Sequence, residues 1–72
     1  MGKHDTENFI IEKAFLTKEL KRLGGREELV LNLRWITGCT LDEVARVLCV
    51  SRERVRQIEE RAIVRLRRRL YV

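Results

Sequence analysis

The sequence predicts an all-α fold: a compact four-helix domain whose last two helices form a helix-turn-helix over residues 40–70. Three observations predict it. The 72 residues contain no proline, and the four glycines (Gly2, Gly24, Gly25 and Gly38) fall at the terminus or between candidate helices. Apolar residues recur at helical rather than strand spacing. Two helix-start signals, Thr40 with Glu43 and Ser51, each stand directly ahead of a periodic apolar run. With 44% hydrophobic residues the chain has enough apolar material for a core and too much for disorder. A chain of this length makes one small domain, residues 1–72, that buries only about 60% of its unfolded surface.

Residues 1–5 read as a frayed terminus, and Asp5 or Thr6 caps a first helix running to about Leu23. At 100° per residue its apolar side chains form two faces rather than one. Phe9, Leu16, Leu20 and Leu23 share one face; Ile10, Ile11, Ala14 and Phe15 share the opposite one. A helix with two apolar faces is either enclosed by core or keeps one face for a partner.

Gly24-Gly25 permits a tight turn into a second helix from Arg26 to about Ile36, with Glu27 and Glu28 in the first turn where anions suit the dipole. Leu29, Leu33 and Ile36 give this helix a core face, widened by Val30 and Leu31, and Trp35 reads as a core or boundary aromatic. Gly38 is the expected residue beyond its C-terminus. Thr40 and Glu43 form a Thr-x-x-Glu capping box opening a third helix, Leu41 to Leu48, with Leu41, Val44, Ala45 and Leu48 on one face.

Leu48-Cys49-Val50 is short enough to force a sharp crossing, and Ser51 caps a fourth helix from Arg52 to about Leu70. Val55, Ile58, Ala62, Ile63, Leu66 and Leu70 face its core side. Glu53, Arg56, Gln57 and Glu60 face away, with Arg52 at the border.

The net charge of +5 is unevenly placed. Residues 1–50 carry eight Lys/Arg and eight Asp/Glu, whereas residues 51–72 carry eight Arg against Glu53, Glu59 and Glu60. The whole excess therefore sits on the fourth helix, the footprint of a polyanion binder. Arginines 67–69 also suit a helix C-terminus by dipole alone, but Arg52 and Arg54 lie at the opposite end. The N-terminal turns of a recognition helix enter the major groove. Arg there forks onto guanine, Gln pairs with adenine, and Glu accepts from cytosine N4. A carboxylate among arginines gains nothing beside phosphate and is informative for that reason.

Other classes fit poorly. The single His4 sits near the terminus, and Cys39 and Cys49 lack a nearby base or a metal-type pairing, so neither an enzyme nor a metal or cofactor site is expected. Free thiols in a reducing cytosol are the expected state. No stretch is long and apolar enough to span a membrane.

The run Ser51-Arg52-Glu53-Arg54-Val55-Arg56-Gln57-Ile58-Glu59 closely resembles the recognition helix of bacterial sigma factors of the sigma-70 type. The preceding Thr40-Leu41-Asp42-Glu43-Val44-Ala45, and Arg26-Glu27 with Leu29-x-Leu31-x-Leu33-Arg34-Trp35, resemble the two helices before it. The resemblance covers about residues 23–68 and corresponds to region 4. It implies a four-helix domain that binds the promoter −35 element in transcription initiation while docking on the β flap of RNA polymerase, in a bacterial or phage-encoded cytoplasmic protein.

Carried over by position, Arg52 and Glu53 contact a G·C pair and its neighbours, Gln57 reads an adjacent A·T pair, and Arg56 contacts phosphate and a base. Arg26, Arg34, Thr40, Leu41, Ser51 and Arg54 hold phosphates. Arg61 and Arg65 fall where activators touch the family's domain, and an activator or anti-sigma protein is a further implied partner. The first two helices, with Ile10, Ile11, Ala14 and Phe15, offer the apolar surface for polymerase.

Three departures from the family pattern matter. The connection Thr37-Gly38-Cys39 is shorter than in primary sigma factors. Cys49 stands where the turn often has glycine, an expected non-Gly residue at positive φ. Nothing in the chain resembles the domain that reads the −10 element, so it is expected to be an excised domain or a stand-alone protein. The alternative function is accordingly a protein-interaction module that engages polymerase, or a sigma antagonist, through the first helix.

Overall fold

The computed structural model describes the backbone of residues 6–70 and the side chains of residues 13–69. Four helices run in order: α1 (Thr6–Lys21), α2 (Gly25–Leu31), α3 (Leu41–Leu48) and α4 (Arg52–Leu70). A π-helical segment, Asn32–Thr37, continues α2. The expected frayed residues 1–5 and the Asp5 cap lie outside the described residues.

Two apolar clusters build the core, and α4 spans both. Leu20 and Leu23 from the end of α1, Leu31 from α2, and Ala62 and Leu66 from α4 form the first, with Leu16, Ile36 and Ile63 packed against it. Val30, Val44, Ala45, Val55 and Ile58 form the second, flanked by Leu33, Cys39, Leu41, Leu48 and Val50. The adjacent residues Val30 and Leu31 are both fully enclosed, and each feeds a different cluster.

The core face expected for the second helix needs one correction. Leu29 is 41% exposed, while Val30 and Leu31, expected only to widen the face, are its centre. The helix begins one residue earlier than expected, at Gly25, behind a turn in which Gly24 and Gly25 have φ of 68° and 56°. Those left-handed values suit glycine, which carries no Cβ. From Asn32 the looser π winding slows the rotation per residue, so Ile36 comes round beside Leu31 rather than beneath Leu29. Gly38, at φ 90°, closes the segment as expected, and Cys39 N–H reaches back to Leu33 O at 2.7 Å.

The helix-turn-helix follows the sequence closely. Thr40 Oγ1 accepts from Glu43 N–H at 3.1 Å, and Glu43 Oε1 accepts from Thr40 N–H at 2.8 Å, completing the capping box. Cys49 adopts φ 58°, ψ 44°, so the αL residue at the turn is a cysteine. Its neighbour Val50 donates to Ala45 O at 3.0 Å, which satisfies an end carbonyl of α3. Ser51 Oγ accepts from Arg54 N–H at 3.0 Å and so starts α4.

Polar links then tie α4 to the elements before it. Glu59 Oε2 accepts from Arg34 Nε at 3.2 Å and from Trp35 Nε1 at 3.3 Å, pinning the π segment to the middle of α4. Arg65 pairs with Glu27 of α2, and Arg69 with Glu19 of α1 at 3.6 Å.

Two stability outcomes separate these features. Leu31→Ala should destabilise by ~2–5 kcal/mol, since it deletes an enclosed side chain, while Leu29→Ala should stay within about 0.5 kcal/mol. Urea unfolding followed by far-UV circular dichroism measures both. Cys49→Gly should raise the unfolding free energy by up to ~1 kcal/mol, because the left-handed penalty it relieves exceeds the chain entropy glycine adds.

Candidate nucleic-acid interface

The N-terminal turns of α4 are held from behind and open in front. Val55 is fully buried and Ile58 is 4% exposed, whereas Arg52, Glu53, Arg54, Arg56 and Gln57 are all exposed. Two core residues thus lock the rotation of the helix and leave five residues expected to read bases or bind phosphate exposed. Leu41 from the start of α3 lines a shallow cleft with Arg52, Glu53 and Arg56, which brings together residues expected to read bases and one expected to hold phosphate.

These readers are already engaged with one another. Glu53 and Arg56 form a bidentate pair, with Nη2 donating to Oε2 at 2.7 Å and Nε to Oε1 at 3.0 Å. Arg56 Nη1 also donates to Glu60 Oε1 at 3.2 Å. The Arg56 hydrogen bond, with its charge, holds the Glu53 carboxyl below its ordinary 4.5, and Glu53 in turn raises the Arg56 guanidinium. Arg52 pairs with Asp42 of α3 at 3.5 Å, and Gln57 Oε1 accepts from Arg54 Nη1 at 3.4 Å. All of these groups are solvent-exposed, so the pairs contribute little to stability, and the 3.5 Å contact of Arg52 with Asp42 exchanges more readily for another partner than the forked Glu53–Arg56 pair.

The remaining expected contacts divide into three groups. Arg26, Arg54, Arg61 and Arg65 line one open cleft of about 380 Å³ between the start of α2 and α4, with Gly24 and Gly25 at its edge. Sequence reasoning had separated them into phosphate and partner residues. Arg34 is turned inward, donating to Glu59 and through Nη1 to Cys39 O at 2.9 Å, and its side chain is 29% exposed. Thr40 and Ser51 serve as helix caps at the two entrances to the helix-turn-helix.

On α1, Ala14 and Phe15 are exposed, Phe15 by 52%. Ile10 and Ile11, expected to share that face, lie outside the described side chains. Glu59, Asp42 and Glu19 hold arginines in the structure, and sequence reasoning assigned none of the three a role. Glu59 was detectable in principle, because a carboxylate four residues after Val55 and three before Ala62 falls on the core side of α4.

Among the described residues, no helix is long and apolar enough to cross a membrane, and no cluster of His, Cys, Asp and Glu is arranged to hold a metal ion. Both cysteines are free thiols.

A capped helix-turn-helix with an arginine-rich second helix, rotationally locked by its own core, defines a DNA-binding domain. Residues 20–68 match the family model described as Sigma-70, region 4, and the chain belongs to that family. It is 43% identical over 67 residues to a protein named RNA polymerase sigma factor SigA of Clostridium acetobutylicum, covering 88% of this chain. The chain spans 18% of that relative's length. No solved structure matches it.

Because its folded pKa is lowered, Glu53 adds to stability above the ordinary carboxylate range and loses that contribution as pH falls through the lowered value. Carboxyl NMR should find Glu53 titrating below 4.5, and Arg56→Ala should return it to the ordinary value.

Proposed function

We propose that this domain reads the promoter −35 element as duplex DNA during transcription initiation, in concert with RNA polymerase. The observation that carries this reading is the exposed set Arg52, Glu53, Arg56 and Gln57 on the first two turns of α4, backed by buried Val55 and Ile58. Those turns enter the major groove, and the residue types match base edges rather than phosphate alone. Arg52 forks onto guanine after exchanging Asp42 for the base, and Gln57 pairs with an adjacent adenine. Arg26, Arg34 and Arg54 hold phosphates with guanidinium groups. The capped helix starts at Thr40, Leu41 and Ser51 do so with backbone N–H and hydroxyl groups.

A module this small buries roughly 600–1,000 Å² on DNA and binds weakly by itself, so delivery by polymerase is part of the reading. The matched relative is named as an RNA polymerase sigma factor, and the exposed Phe15 on α1 supports a docking contact with the polymerase β flap. Arg61 and Arg65, one to two turns beyond the base readers on α4, then serve as contacts for an activator or anti-sigma protein. The same exposed Phe15 favours a second reading, in which the chain acts mainly as an adaptor on polymerase.

Two measurements test these readings. Arg52→Ala should cost ~1–3 kcal/mol and relax preference at one base pair, whereas Arg54→Ala should weaken all duplexes alike and lower the salt slope by about one. Equal losses on −35-containing and scrambled duplexes for both variants would sink the base-reading assignment. Titration with an isolated β-flap segment should show binding that Phe15→Glu abolishes; binding indifferent to that change removes the docking role of α1.

A further inference from the structure

Arg56 is held by two carboxylates of its own helix. Nε donates to Glu53 Oε1 at 3.0 Å and Oε2 at 3.1 Å, Nη2 donates to Glu53 Oε2 at 2.7 Å, and Nη1 donates to Glu60 Oε1 at 3.2 Å. To read guanine, an arginine must present two parallel N–H groups to O6 and N7. The Nε–Nη2 edge of Arg56 already lies on Glu53 in the same two-pronged geometry. Arg52, by contrast, meets its carboxylate through Nε alone, at 3.5 Å, and keeps its terminal fork for a base.

We infer that Arg56 is a positioning residue whose task is to hold Glu53 as an acceptor for one cytosine amino group. The inference rests on the major-groove reading above and assigns the Glu53–Arg56 pair a single, shared specificity. An unaided glutamate carries several rotatable bonds and a negative charge between two rows of phosphates, so it enters the groove neither fixed nor welcome. Arg56 answers both problems: its fork fixes the carboxylate plane, and its charge offsets the repulsion. Glu60, one turn further on, fixes the guanidinium from its other end. Of the two carboxylate oxygens, Oε2 accepts from both Nε and Nη2 of Arg56 and Oε1 from its Nε alone, so Oε1 is the one turned to an incoming N–H donor.

The test uses the wild-type chain first, to select preferred duplexes from a randomised library. Binding of each variant to the selected duplex and to its single-base changes is then measured at several salt concentrations. Glu53→Ala should erase preference at one C·G pair, roughly five- to hundredfold. Arg56→Ala should erase preference at that same pair, and the double substitution should lose no more than either alone. Arg56→Lys keeps the charge but not the fork and should behave like Arg56→Ala. Glu60→Gln should weaken preference at the same pair to a smaller degree.

The salt slope should stay unchanged throughout, because the Arg56 charge already faces carboxylates. Preference lost at a different pair, additive with Glu53→Ala, makes Arg56 a base reader in its own right and overturns the inference. A uniform loss with the salt slope reduced by about one makes it a phosphate contact and overturns it equally. A wild type that binds duplexes at low salt yet selects no sequence among them defeats the groove reading itself, an outcome visible before any variant is made. The substituted side chains are exposed, and circular dichroism confirms that each variant keeps its helices.

Discussion

The structure depends on the burial of α4 against Val30 and Leu31. These neighbours in sequence point to opposite ends of the core, one toward Val55 and Ile58, the other toward Ala62 and Leu66. Two adjacent side chains therefore fix both the height and the rotation of a 19-residue helix. The helix proposed to face DNA is also the helix that completes both halves of the core. Recognition and folding consequently share one rigid body, and the domain has no separate reading head to orient.

Polar contacts refine what the core fixes. Glu59, Arg65 and Arg69 lie along α4 and reach back to the π segment, α2 and α1 in turn. Each pairs with a different preceding element, so the long helix is located from its middle to its C-terminal end. At its first turns the arrangement changes: the pairs there are within the helix or with nearby Asp42, and every member is exposed. Pairs between elements hold the frame, while the pairs at the first turns occupy the groups proposed to engage DNA.

The sequence made α3, the turn and α4 legible because their signals are local. A capping box, a serine cap and a short apolar run each act within four residues, and the positive φ of Cys49 was expected because the resembled family often has glycine at that turn position. Leu29 was misjudged because an ideal 3.6 period was carried through a segment that unwinds at Asn32. The links from Arg34 to Glu59 and from Arg65 to Glu27 span 25 and 38 residues, and no local pattern announces them. The base-reading candidates came from residue type and position. Their mutual pairing, and the cleft uniting Arg26 and Arg54 with Arg61 and Arg65, became visible in three dimensions.

The Glu59 junction has a consequence for how such a domain cycles. Its carboxylate is 14% exposed and accepts from both Arg34 and Trp35. Mobile ions screen partly buried pairs far less than charges at a surface, where the Debye length near physiological salt is about 8 Å. Rising ionic strength therefore weakens the proposed phosphate contacts well before it loosens the joint that sets α4. Release leaves the reading geometry assembled, and each new encounter with DNA begins from a helix already set at its working angle.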